Sequence, residues 1–140
     1  MIRSALMHMR NRLLSGSLVL ACLTLAGCGA GDTSVHLTGK VTYQGKPVPT
    51  GTITFSPDTT QGNAGHGSKA IIHDGTYTTR ESFGLVGGPH VVRIEGFDGV
   101  AVGDNLDGNL LFKPFEESFD LPKSSGEFDF DVPAQRKKSR

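Results

Sequence analysis

The sequence predicts an all-β protein: a single small antiparallel β-sandwich of about seven strands, preceded by a cleaved N-terminal signal. Apolar residues beyond about residue 35 recur with period two over short runs, the pattern of half-buried strands. The 19 glycines and 7 prolines, with a hydrophobic fraction of only 36%, favour many strands joined by turns over long helices. Helical periodicity is almost absent once the first 27 residues are passed. Residues 28–140 are a one-domain length, sufficient to bury roughly two-thirds of the unfolded surface around one modest core.

The first element is the signal. Arg3, Arg10 and Arg12 precede an apolar stretch, residues 13–25, interrupted by Ser15, Gly16 and Ser17 and ending in small residues. That order is a basic region, an apolar region and a cleavage site. As a permanent span the stretch is too short, since a bilayer core needs about 20 apolar residues, and no stop-transfer charges follow it. Its end, Leu25-Ala26-Gly27-Cys28, resembles a bacterial lipobox. The resemblance implies that the Cys28 thiol is alkylated by a diacylglyceryl group, that signal peptidase II cuts between Gly27 and Cys28, and that the new amine accepts a fatty chain such as palmitate. Small residues suit a narrow protease site, and a thiol is the best nucleophile available for a thioether. The alternative is an ordinary secretory signal. Two or more acyl chains anchor stably where one does not, so the membrane is an expected partner through the lipid on Cys28. Gly29 after the cysteine, rather than Asp, allows an outer-membrane destination by resemblance to enterobacterial sorting. The expected location is the cell envelope, on the outer membrane or the periplasmic face of the inner membrane.

Cysteine chemistry ends there. Cys22 is lost with the signal and Cys28 is consumed by lipid, so the mature chain keeps no thiol for a disulfide, a zinc site or a nucleophile. With Arg3, Arg10 and Arg12 removed, 11 of the 14 basic residues remain against 14 acidic ones, about three net negative charges. That balance disfavours a nucleic-acid partner. The basic cluster Arg136, Lys137, Lys138 and Arg140 reads as a solvated, disordered tail over residues 133–140.

Residues 28–34 are small and polar and suit a lipidated tether. The β-sandwich is expected over residues 35–132. Val35, Leu37, Val41 and Tyr43 alternate with His36, Thr38, Lys40 and Thr42 in a first strand, with Gly39 at an inward place. Gln44-Gly45-Lys46-Pro47 turns the chain, and a second strand around Ile53 and Phe55 stops at Pro57. A glycine-rich loop over 58–68 leads to strands at 69–73 and 76–79, joined by Asp74-Gly75, the strongest local hairpin signal because a type I′ turn needs positive φ at both central positions. Gly87-Gly88-Pro89 introduces a strand at 90–95. Residues 97–115 read as a long loop with an apolar patch at Leu110, Leu111 and Phe112. Phe119 and Leu121, a turn at 123–126, and Phe128, Phe130 and Val132 read as a last hairpin.

Val41-Thr42-Tyr43-Gln44-Gly45-Lys46-Pro47-Val48-Pro49, Gly51-Thr52-Ile53-Thr54-Phe55, Asp74-Gly75-Thr76-Tyr77, Gly84-Leu85-Val86-Gly87-Gly88 and Phe128-Asp129-Phe130-Asp131-Val132 together resemble carboxypeptidase regulatory-like (transthyretin-like) domains, in particular the small lipoproteins of this type abundant in planctomycetes. The resemblance covers most of residues 35–132. It implies a transthyretin-like (prealbumin-like) sandwich serving as a non-catalytic appendage, an adhesive module or a repeat unit. One transthyretin-like enzyme, 5-hydroxyisourate hydrolase, ends in Tyr-Arg-Gly-Ser, whereas this chain ends in Gln-Arg-Lys-Lys-Ser-Arg. Related adhesins carry a Lys to Asn isopeptide bond. Lys40 stands where such a lysine would, but residues 127–132 hold no Asn, so Lys40 reads as an outward-facing residue.

No catalytic site, metal site or cofactor is expected. Of the mature histidines, His36 falls on the polar face of its strand and His66 in a loop, leaving at most a pair, His73 and His90, too few for zinc. Residues 104–109 (Asp-Asn-Leu-Asp-Gly-Asn) fail the EF-hand template, with Gly103 first and Pro114 twelfth, and read as a polar turn. The expected function is a membrane-tethered, non-catalytic binding or structural module of the cell envelope, contacting an envelope protein or polysaccharide through a sheet face or edge or the loops at 58–68 and 97–109. The alternative is an envelope enzyme or a glycan or small-ligand carrier. A pocket gathering His73, His90, Arg93 and acidic residues would support that alternative.

Overall fold

The computed structural model describes residues 34–134, so the signal, Gly27, Cys28 and most of the basic tail lie outside the described residues. The described chain is all-β, with nine strands: β1 (Leu37–Tyr43), β2 (Lys46–Pro47), β3 (Thr50–Pro57), β4 (Ser68–His73), β5 (Thr76–Thr78), β6 (Gly88–Phe97), β7 (Phe115–Leu121), β8 (Gly126–Glu127) and β9 (Phe130–Val132). One 3-10 turn, Thr59–Gln61, is the sole helical element among the described residues.

Local chemistry sets the turns. Gln44 and Gly45 both hold positive φ, 53° and 73°, and so do Asp74 and Gly75, 47° and 74°. These are the paired left-handed conformations of a type I′ turn, which matches the twist of the strands it joins. The Asp-Gly hairpin expected from sequence is thus present as β4 and β5, with Ile72 opposite Tyr77 and His73 opposite Thr76.

The strands join in the order β2-β1-β5-β4-β3-β6-β7, with β8 and β9 on the remaining edge of β1. Most pairs are antiparallel; β8 and β9 run parallel to β1, with Leu37 opposite Gly126 and Val41 opposite Phe130. The expected last hairpin therefore does not form. β7 pairs with β6, Leu121 opposite Gly88 and Phe115 opposite Ile94, and the chain then crosses to the far edge of the sheet. The phenylalanines still meet, through side chains instead of backbone: Phe119 on β7 lies edge-on to Phe130 on β9, ring centroids 5.3 Å apart. Curling of the sheet brings its two edges together around one core.

That core follows the period-two faces. Leu37 and Val41 of β1, Ile53 and Phe55 of β3, Ile72 of β4, Val92 and Ile94 of β6, and Phe130 and Val132 of β9 are all buried. Gly39 keeps its inward place for a specific reason: the carbonyl of Phe128 occupies the space a Cβ would need. The same carbonyl accepts the Tyr77 hydroxyl at 2.7 Å. Phe128-Asp129, the break between β8 and β9, is therefore held by a glycine below it and a phenol beside it.

The register fixes two ends. One gathers residues 34–36, 57–67, 79–87 and 122–125: β3 finishes here with Pro57 opposite His90, and β1 starts here with Thr38 opposite Thr78. The other gathers residues 44–49, 74–75 and 97–114: Thr50 lies opposite both His73 and Phe97, and Tyr43 opposite both Lys46 and Val132. The first is called the tether end, because the chain enters the sheet there, and the second the distal end.

Candidate functional site

The chemistry-bearing residues considered from sequence are dispersed. His73 is exposed near the distal end, His90 is wholly buried near the tether end, and Arg93 is exposed on the outer face, where it bonds Glu95 at 2.8 Å and lies 3.9 Å from Glu116. The expected criterion for an enzyme or carrier pocket, these groups converging with acids, is not met. No group of three or more metal-ligating side chains occurs among the described residues. Lys40 is exposed, as its place in the alternation predicts.

His90 sits inward on β6 because it shares the face of Val92 and Ile94. Its Nδ1 lies 2.9 Å from the Gly88 carbonyl, which suits a proton on Nδ1, and 3.4 Å from Asn63 Nδ2. Nε2 is buried with no hydrogen-bond partner. An imidazole sealed this way meets no solvent-borne substrate.

What the distal end does assemble is a braced loop. Asp98 follows β6 directly, and its Oδ1 accepts the backbone N–H groups of Val100 and Asn109, each at 3.0 Å, while Oδ2 accepts Asn109 Nδ2 at 3.3 Å. These bonds hold the Asp98 carboxyl below its ordinary range, the Val100 N–H contributing most. Backbone bonds add Asp98 to Asn109, Gly99 to Asp107 and a two-bond bridge between Val102 and Asn105. Asn105 spends both ends of its amide inside the loop: Nδ2 donates to the Gly108 carbonyl at 2.7 Å and Oδ1 accepts the Asp107 N–H at 3.2 Å. The polar turn expected at 104–109 is thus tied together by the Asn105 amide and held at its root by Asp98.

Besides these bonded polar groups the loop exposes several aliphatic side chains. Val100, Val102, Leu106 and Leu110 are 62%, 57%, 79% and 53% exposed. The apolar patch expected at 110–112 divides: Phe112 is buried, its ring tilted against Tyr43 with centroids 4.8 Å apart and packed where Gly96 leaves room, whereas Leu110 faces solvent. Beside the loop opens a cleft of about 300 Å³ bordered by Tyr43, Lys46, Pro47, Pro49, Asp98 and Leu111. Sequence reasoning placed a contact loop at 97–109, but not the aliphatic display, because the apolar residues there follow neither helical nor strand period.

The other expected contact loop, 58–68, lies at the tether end. Asp58 caps its 3-10 turn, accepting Thr60 N at 3.0 Å, Thr60 Oγ1 at 2.6 Å and Gln61 Nε2 at 2.7 Å, and these bonds lower its pKa, that from the Thr60 hydroxyl first. No helix among the described residues is long and apolar enough to cross a membrane. No family model matches the chain, and comparison with the curated proteins and the solved structures finds no match either.

Proposed function

We propose that this chain is an exported lipoprotein of the cell envelope, held to its membrane by lipid on Cys28, whose β-domain is a non-catalytic binding module. In this reading the signal is removed between Gly27 and Cys28 and the curled sheet is a transthyretin-like sandwich of the carboxypeptidase regulatory-like kind. The resemblance in sequence and the facing of β7 and β9 across one core support the sandwich. The dispersal of His73, His90 and Arg93 supports a role without catalysis.

The observation that carries the proposal is the distal loop. Four aliphatic side chains are exposed within eleven residues, on a loop braced by its own hydrogen bonds, and exposed apolar groups gathered on one loop are the material of a protein contact. Bracing lowers the ordering cost of binding, since the loop is already in one shape. The lipid confines the module to a surface and raises its effective concentration near partners in the same layer. Aliphatic groups without an exposed aromatic platform suit an envelope protein better than a polysaccharide. A second reading, polysaccharide held in the cleft, draws on the half-buried ring of Tyr43 and the polar groups of Lys46 and Asp98.

The test is crosslinking in intact cells with wild type and the double variant Val102→Ser, Leu106→Ser. Both sites are exposed, so folding is expected to be unchanged. A partner protein captured by wild type and lost in the double variant supports the proposal. Equal capture by both places the contact elsewhere, and retention on envelope polysaccharide that is lost in Lys46→Glu transfers the function to the cleft.

A further inference from the structure

The most exposed large apolar residue among the described ones is not on the distal loop. It is Phe83, 89% exposed, at the tether end. A phenylalanine left in water forgoes the stabilisation that burial would give, and its loop is built to keep it there. Ser82 donates from both N and Oγ to the Thr79 carbonyl, at 3.2 and 3.0 Å, and its Oγ meets Ser68 Oγ at 2.8 Å. On the other side Gly84 takes φ +68°, and Leu85, fully buried, exchanges two backbone bonds with Val35, at 2.8 and 2.9 Å. Phe83 is thus displayed from a fixed loop, two residues from a bridge to Val35.

Val35 is the seventh residue after Cys28. Seven extended residues reach at most about 25 Å, so a lipid on Cys28 keeps the Val35–Leu85 bridge within that distance of the bilayer surface. Val86, three residues beyond Phe83 at the same end, is 40% exposed and packs over Gly65. The charges at this end are of both signs: Lys69 borders the same cleft as Phe83, Arg80 and Lys123 are exposed, and so is Glu81. Insertion of the ring itself is an apolar contact and does not depend on those charges.

Resting on the lipid-anchor reading above, we infer that Phe83 is a membrane-contact site: its ring sits in the headgroup region of the bilayer that the Cys28 lipid enters. This seats the tether end on the membrane and turns the distal loop away from it.

The chain has no tryptophan, so Phe83→Trp creates a single fluorescent reporter at an exposed site. The full chain carrying this change is expressed, recovered from membranes, its acyl mass on Cys28 verified, and reconstituted in phosphatidylethanolamine and phosphatidylglycerol vesicles with or without brominated acyl chains. The expected result is blue-shifted emission, strong quenching by the brominated lipid and no loss of either in high salt, whereas Val100→Trp in the same vesicles stays red-shifted and unquenched. Emission and quenching at position 83 equal to those at position 100 would overturn the inference while leaving the anchor in place. Protein recovered without acyl mass on Cys28 overturns the anchor reading itself, and the contact with it.

Discussion

The carbonyl of Phe128 shows how few atoms decide where the last strands go. It lies against Gly39, where any side chain would collide with it, and it accepts the hydroxyl of Tyr77 at 2.7 Å. Tyr77 is mostly buried, and burial together with the negative charge of Asp129 pushes its phenol well above the ordinary tyrosine range, so it remains a donor at any pH the fold meets. Tyr77→Phe leaves the ring contacts with Phe55 and Phe130 but removes that donor. The expected cost is about 1 kcal/mol in a denaturant titration, the usual net worth of such a bond. No measurable change would mean that solvent reaches the Phe128 carbonyl and replaces the phenol.

Among the elements, the Asp74-Gly75 hairpin was legible in sequence and the edge pairing was not. Asp74-Gly75 and the strands around it follow from turn stereochemistry and period two, both local properties. The same period identified Phe119, Phe128, Phe130 and Val132 as a phenylalanine-rich group, which they are, but a face pattern names no partner strand. The parallel pairing of β9 with β1 depends on the crossing after β7 and on space at Gly39, neither of which a local window reveals. The distal loop was hidden for a related reason: residues 104–109 read as a polar turn, and the bonds by which Asp98 and Asn105 brace the loop backbone leave no local pattern.

Asp98 gives that element a pH dependence. Its carboxyl is held low by the Val100 and Asn109 amides, so its contribution to loop order is fully present above the ordinary carboxylate pKa and is lost as pH falls through the lower, folded value. In an NMR titration the Val100 and Asn109 amide signals are expected to hold steady through the usual carboxylate range and move only in more acid solution. Movement at the ordinary aspartate midpoint would show that the carboxyl does not hold the loop. Asp98→Ala should increase amide exchange across 98–109 with little effect on β1 or β3, since the bonds it removes lie within the loop and its root.

At the scale of the whole molecule, the sheet has a direction. The chain enters at Val35 at one end and leaves β9 at Val132 opposite Tyr43, at the other. The basic residues after Pro133 therefore start from the distal end, which bears on their role: removing residues 136–140 is expected to leave both stability and membrane attachment unchanged, checked by thermal unfolding and membrane fractionation. Loss of attachment on that deletion would reassign the tail as an anchor. Phe83 lies at one end of the domain and the aliphatic loop at the other, the separation that the proposed lipid anchor and partner contact require.

The most direct measurement of that arrangement is site-specific photo-crosslinking in living cells, with the crosslinker in place of Leu106 and the chain carrying either Cys28 or Cys28→Ser. One dominant crosslinked envelope protein that disappears when Cys28 is replaced is the expected result. Crosslinks to lipid, or the same partner at the same yield without the cysteine, would contradict it.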